Sequence, residues 1–230
     1  WKGYSQALYK NNQIDVSTIL HDHFKDESFD KDQYVSFFSD LGYSPVTINL
    51  KLNKLIFDNT IAEVGPDRLM FTELLNISHE EQSQIDKYLL NMFDSTTRYI
   101  SLKRESVNGT ILPKIFNLTW TRELLFYFAS KSESVKPLRW PQGTNTTSFP
   151  INPMIIVKRD DSINSLLDLV KYCMENFTGN RAVTSVRNYL KNKDILIGKT
   201  NNGTLPEILS PIFSVDDDNV VHLKKQEAKR

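Results

Sequence analysis

The sequence predicts an α+β protein: a mainly helical N-terminal region, residues 1–131, then a small mixed α/β unit, residues 132–226, and a charged tail, residues 227–230. Three observations carry this. Apolar residues recur at helical spacing through most of the N-terminal region. A stretch rich in Ser, Thr, Asn and Pro from Ser132 to Pro153 then interrupts them and marks a boundary. Finally, Met154-Ile155-Ile156-Val157 passes from a β-branched strand pattern directly into an amphipathic helix.

A chain of 230 residues is long enough for one large domain or two small ones. Hydrophobic residues at 40% and charged residues at 24% fit an ordinary folded protein and argue against wholesale disorder. The 28 basic residues cancel the 28 acidic ones, so no global field draws the chain toward nucleic acid or an anionic membrane. No apolar run approaches the roughly 20 residues that a membrane-spanning helix needs. The chain opens on Trp1 in place of Met, which reads as a piece of a longer protein or a processed product. A lone Cys173 has no internal disulfide partner and points to a cytoplasmic or nuclear setting. Glycosylation-type triplets at Asn76, Asn108, Asn117, Asn145, Asn176 and Asn202 point the other way. An Asn-rich chain produces such triplets by chance, and Asn176 lies on a helix expected to be packed.

In the N-terminal region Trp1, Tyr4 and Leu8 recur at helical spacing, and Ile14, Ile19, Leu20 and Phe24 continue on a second helix. Tyr34, Val35, Phe37, Phe38 and Leu41 form a further apolar face, stopped by Gly42. Ser44-Pro45 starts helically, although Val46, Ile48, Leu50 and Leu52 alternate as a strand does; helix is preferred. Gly65-Pro66 is a stop, after which Asp67 is expected to begin a helix carrying Leu69, Met70, Leu74 and Leu75. Ser78 with Glu81 is a capping-box pattern ahead of Ile85, Tyr88, Leu89, Met92 and Phe93. Residues 98–115 fit either a hairpin turning at Asn108-Gly109 or a long loop, because Pro113 lacks a ladder donor. Trp120 to Ser130 is apolar on several sides and predicts a helix buried all round. No fixed repeat period is detectable.

In the C-terminal unit Asp161 or Ser162 caps a helix whose stripe is Ile163, Leu166, Leu167, Val170, Met174 and Phe177. Val183 to Leu190 suits a second helix, and Ile195-Leu196-Ile197 a strand closed by Gly198. A turn at Asn202-Gly203 and a last strand at Val220, Val221 and Leu223 follow. This order resembles the ubiquitin-like β-grasp family. Ile155-Ile156-Val157 with Asp161-Ser162-Ile163 matches the strand entering the helix, and Ile195 to Lys199 the strand ending in Gly-Lys. Gly203-Thr204-Leu205 matches the following turn, and Val220-Val221-His222-Leu223 the closing strand. The missing first strand then falls around Lys136 to Trp140. The resemblance implies a protein-binding surface containing Leu196 and His222, with Lys224 a departure because it is charged where that surface is usually apolar. The chain lacks the terminal Gly-Gly of a conjugated modifier, so a built-in ubiquitin-like module is implied.

Candidate chemistry is sparse. His21-Asp22-His23, with Asp26 nearby, is the one metal-like cluster, but alternate residues on a helix point to different sides. Asp26 to Asp32 lacks the Gly and oxygen spacing of a calcium loop. Cys173 sits in an apolar stripe and reads as a small core residue. Asp216-Asp217-Asp218 reads as a solvated turn, and the basic residues from Lys224 to Arg230 as a solvated continuation. No phosphate loop, nucleophile elbow or zinc-protease motif occurs. The expectation is a non-catalytic protein–protein interaction module of an intracellular scaffold or ubiquitin-pathway protein, with no cofactor and no metal. The alternatives are a purely helical-repeat scaffold and a fragment of an enzyme whose catalytic residues lie elsewhere.

Overall fold

The computed structural model describes residues 16–115, 117–141, 153–196, 205 and 207–224. The protein is α+β, with helices and small antiparallel sheets alternating along the chain. It divides into two compact units, Trp1–Lys87 with Val107–Lys131, and Tyr88–Ser106 with Ser132–Arg230. The expected boundary between 131 and 132 is therefore one crossing point of three. Residues 88–106, assigned from sequence to the N-terminal region, belong with the second unit because their strand pairs there. The expected helix around Trp1, Tyr4 and Leu8 lies outside the described residues.

Unit 1 opens with α1 (Val16–Phe24), β1 (Phe29–Asp30) and α2 (Lys31–Asp40). The Asp30 N–H donates to Gln33 Oε1 at 2.7 Å and so fixes the start of α2. Gly42, at φ 83°, ends it in the left-handed conformation, and Tyr43 N–H reaches back to Phe38 O at 3.1 Å. Three residues after Gly42 the chain is helical again. Ser44 Oγ accepts from Thr47 N–H at 3.3 Å and Pro45 opens α3 (Pro45–Phe57). A four-residue, Gly-containing turn thus joins the two helices. A hairpin follows, β2 (Ile61–Gly65) and β3 (Arg68–Phe71), turned by Pro66 and by Asp67 at φ 56°.

That hairpin corrects the expected helix from Asp67. Leu69, Met70 and Phe71 are consecutive and all buried, a run whose periodicity does not distinguish a strand covered on both faces from a core helix. The sheet order is β1-β3-β2, with Phe29 opposite Leu69 and Ile61 opposite Phe71. Leu20, Phe24, Phe29, Tyr34, Phe38, Ile48, Leu52, Ile61, Leu69 and Phe71 form the core beneath it. The Ser78–Glu81 capping box is present, with Ser78 N–H to Glu81 Oε2 at 2.7 Å, and leads into α4 (His79–Leu90). The apolar helix is α5 (Arg122–Lys131), in which Leu124, Leu125, Phe126, Phe128 and Ala129 are all buried. Thr121 Oγ1 ties its start to β2 by donating to Val64 O at 2.8 Å, while accepting from Leu124 N–H at 3.1 Å.

Unit 2 holds β4 (Tyr99–Ser101), β5 (Val135–Pro137) and β6 (Ile155–Lys158) in the order β4-β6-β5, all antiparallel. β4 takes Ile155–Val157 as its partner, so the hairpin within residues 98–115 does not form. The helix after β6 is α6 (Leu166–Glu175), one turn shorter at its start than the apolar stripe implies. Ser165 caps it, accepting from Asp168 N–H at 3.1 Å, while Asp161 instead turns the preceding loop by accepting from Ile163 N–H at 2.8 Å. α7 (Val183–Asn192) and the hairpin of β7 (Phe213–Val215) and β8 (Val221–Leu223) complete the unit. Ile195 and Leu196 form a bend in place of the expected strand: both are buried, and Ile195 N–H bonds back to Leu190 O at 3.0 Å. Ile197 and Gly198 lie outside the described residues.

One pairing order recurs. In β1-β3-β2 and in β4-β6-β5 the last strand in sequence is the central one. At the C-terminal end Ala182 bridges antiparallel to Val220, beside Val221 N–H to Arg181 O at 2.8 Å, so β8 runs between that bridge and β7. The element order also repeats: helix, short strand or bridge, two helical segments, hairpin. The helical segments are α1, α2 and α3 in the first series. They are α4, the 3₁₀ turn Leu102–Arg104 and α5 in the second, and α6, α7 and the 3₁₀ turn Glu207–Leu209 in the third.

Candidate functional site

Two places in the described residues combine exposed surface with defined chemistry, a polar cleft in unit 2 and a helix face in unit 1. The cleft has a volume of about 320 Å³ and is lined in part by Thr97, Arg98, Tyr99, Ser101, Arg104, Tyr172 and Asp194. Strand β4 supplies its floor, α6 supplies Tyr172, and the turn after α7 supplies Asp194. Both guanidiniums on its walls are engaged. Arg98 donates to Asp161 through Nε at 3.0 Å and Nη2 at 2.6 Å, and also to Ser162 Oγ at 3.0 Å, lying 4.7 Å from the Tyr172 ring centre. Arg104 Nε donates to Asp194 Oδ2 at 2.5 Å and Nη2 to the Asn192 carbonyl, at the C-terminal end of α7.

These contacts set the protonation of the cleft. The Arg98 hydrogen bond holds the Asp161 carboxyl below the usual carboxylate range, against the opposing effect of its partial burial. Burial pushes the Tyr99 phenol and the Cys173 thiol up, so Cys173 stays a thiol, as a core residue should. Ser101 Oγ is buried with no hydrogen-bond partner. Asp94 accepts from the Thr96 and Thr97 N–H groups, each at 2.7 Å, and its carboxyl is drawn down to about 2, chiefly by Thr97 and Thr96. The arrangement is a set of satisfied ion pairs that pins β4, α6 and the end of α7 to one another.

Of the residues expected to share a binding surface, Leu196 is buried while His222 and Lys224 are exposed. Leu196 is 3% exposed and belongs to the core of unit 2 with Leu190, Ile195 and Phe213. His222 is exposed, with Nε2 2.7 Å from Asp216 Oδ2, and Lys224 donates from Nζ to Ser210 O at 2.7 Å. Asp216 is a turn-former more than a solvated acid: its Oδ1 accepts from Asp218 N–H and Val220 N–H, and His222 foremost holds its carboxyl low. His21 Nε2 lies 2.5 Å from Glu73 Oε1, and the His23 ring packs edge-on to Phe24. Among the described residues no group of three or more His, Cys, Asp and Glu side chains is placed to hold a metal ion. Asn76, Asn108, Asn117 and Asn176 are all exposed, so the expected packing of Asn176 is corrected: it ends α6 and faces outward.

The second place escaped the sequence reading. On α3 Ile48 and Leu52 are buried, while Val46, Leu50 and Phe57 on the opposite side are 61%, 53% and 48% exposed. At 3.6 residues per turn these three and Asn53 fall within about 60° of arc. Lys51 is turned away, its Nζ 4.8 Å from the Tyr43 ring centre. The signal lay in the alternation from Val46 to Leu52, which on a helix divides apolar residues between two faces. No described helix is long and apolar enough to cross a membrane. Comparison of the chain with protein-family models, with curated proteins and with solved structures gives no match.

Proposed function

We propose that the chain is a non-catalytic protein–protein interaction module of a larger intracellular assembly, and that its working surface is the outer face of α3. The observation that carries this is the exposure of Val46, Leu50 and Phe57 in one stripe on a helix that already buries Ile48 and Leu52. Contiguous exposed apolar side chains cost solubility and mark contact surfaces. Here that helix presents apolar residues and a single exposed Lys54, a poor match to a phosphate backbone.

The test is recovery of partners from cell extract by the full chain, compared with Leu50→Asp and with a His222→Ala/Lys224→Ala double variant. Loss of a partner with Leu50→Asp alone, at unchanged melting temperature, is expected. Equal recovery by all three would count against the α3 face. The ubiquitin-like reading of unit 2 draws support from the β5–β6 hairpin leading into α6 and from the closing strand at Val221–Leu223. It needs the closing strand β8 to pair alongside β5, so that the two sheets become one. Amide-to-amide contacts across that junction by NMR would support it, and their absence in an assigned spectrum would rule it out.

A further inference from the structure

We infer that Asn108 is a self-modifying site, at which the chain converts its own asparagine into aspartate and isoaspartate. The inference is independent of the interaction reading above and concerns a turn within unit 1. The sequence holds two Asn-Gly pairs, and Asn108-Gly109 is the one among the described residues. Asn108, Gly109 and Thr110 are all exposed, so water and hydroxide reach the turn. Two features of the fold then favour reaction there. The Gly109 N–H has no hydrogen-bond partner among the described residues, so the attacking nitrogen is not tied up. Asn108 Oδ1 accepts from Thr110 N–H at 3.1 Å and from Thr110 Oγ1 at 2.7 Å.

The chemistry follows from that geometry. The Gly109 nitrogen gives its proton to hydroxide, attacks Asn108 Cγ and forms an N–C bond that closes a succinimide ring. As the Cγ–Oδ1 double bond opens, negative charge gathers on Oδ1, at which two donors are already aimed. The charge then returns to the carbonyl, the Cγ–Nδ2 bond breaks, and Nδ2 takes a proton from water and leaves as ammonia. Water opens the ring at one of its two carbonyls: at Cγ it gives aspartate, and at the main-chain carbonyl isoaspartate. Nothing is oxidised or reduced. Elsewhere, as at Asn76-Ile77, Asn117-Leu118 and Asn176-Phe177, a bulky neighbour hinders the same attack. The isoaspartate form inserts a methylene into the main chain beside Gly109. A Cβ at Gly109 would already lie 3.3 Å from Trp120 Cβ, and Trp120 Nε1 donates to Pro113 O at 2.7 Å just ahead of α5. Modification therefore loosens the approach to that helix.

The experiment incubates the full chain, produced in bacteria so that no glycan caps the amide, in mildly alkaline buffer at body temperature. Peptide mass mapping over time separates Asn108 from Asn202 and isoaspartate from aspartate. Thr110→Val and Gly109→Ala are run alongside, with circular dichroism to confirm folding, and every chain is repeated unfolded in urea. Asn108 is expected to lose its amide before any other described asparagine, with faster hydrogen exchange from Trp120 to Leu124 in the isoaspartate product. Thr110→Val should slow the folded chain about three- to tenfold and leave the rate in urea unchanged, a smaller loss than at an enclosed oxyanion site because water replaces the hydroxyl. Gly109→Ala should slow both. An Asn108 that stays intact in the folded chain while the unfolded chain loses its amide overturns the proposal. So does a Thr110→Val chain that reacts at the unsubstituted rate when folded, or that slows equally in urea.

Discussion

Arg98 and Asp161, separated by 63 positions, are joined by two hydrogen bonds of 2.6 and 3.0 Å that link the strand-edge residue before β4 to the loop before α6. The pair is partly shielded, with the Asp161 side chain 13% exposed and that of Arg98 37%. Replacing Arg98 by Gln is expected to destabilise the protein by about 1 kcal/mol, the low end for a charge-assisted bond because solvent screens the guanidinium. The Asp161 carboxyl titrates lower in the folded chain than in the unfolded one. Between those values the unfolded chain binds more protons, so stability rises with pH there. The contribution is complete above the ordinary carboxylate value of about 3.9 and is lost as pH falls through the folded value. Urea unfolding at stepped pH should show a shallower acid decline in Arg98→Gln; an identical decline would rule out the assignment.

Tyr34 is fully buried with its hydroxyl unpartnered, and burial pushes its phenol well up. An unsatisfied buried hydroxyl costs about 1–3 kcal/mol. Tyr34→Phe is therefore expected to stabilise unit 1 by about 1 kcal/mol. Because the unfolded phenol ionises first, stability falls as pH rises past about 10. Chemical denaturation at neutral and alkaline pH checks both, and a destabilised variant would refute the reading.

Leu196→Asp places a carboxylate in the core of unit 2 and is expected to cost about 3–5 kcal/mol. His222→Ala, on the exposed hairpin, should leave the thermal midpoint nearly unchanged. Comparable melts for the two would mean that Leu196 faces solvent.

Ser165→Ala removes the acceptor for Asp168 N–H at the start of α6 and is expected to cost about 1 kcal/mol. Ser162→Ala, one of the two caps expected from sequence, should leave that helix start intact. Hydrogen exchange at Leu167, Asp168 and Leu169 separates the two variants.

What the sequence revealed was local. The Ser78–Glu81 box, the Gly42 stop and the stripe from Ile163 to Met174 each involve residues within a few turns of one another, and each is present in the fold. What it hid was pairing at a distance. Tyr99–Ser101 finds its partner at Ile155–Val157, and the strands of the first sheet are too short to show alternation, β1 having two residues. The recurring element order left no fixed period because its spacers differ: Pro66 and Asp67 turn the first hairpin, whereas residues 138–154 separate β5 from β6. Leu196 was misplaced for a related reason, since an apolar triplet before Gly looks alike whether it forms a strand or a buried bend.

In both three-stranded sheets the strand that comes last in the chain holds both of the others. During synthesis β4 and β5 thus have no partner until Ile155–Lys158 has left the ribosome, and β1 and β2 wait in the same way for Arg68–Phe71. Each hairpin's second arm acts as the closing step for everything before it. A chain stopped at residue 150 would carry a finished first sheet and two orphaned strands with open hydrogen-bonding edges, a species prone to capture by chaperones or to strand exchange with a neighbour.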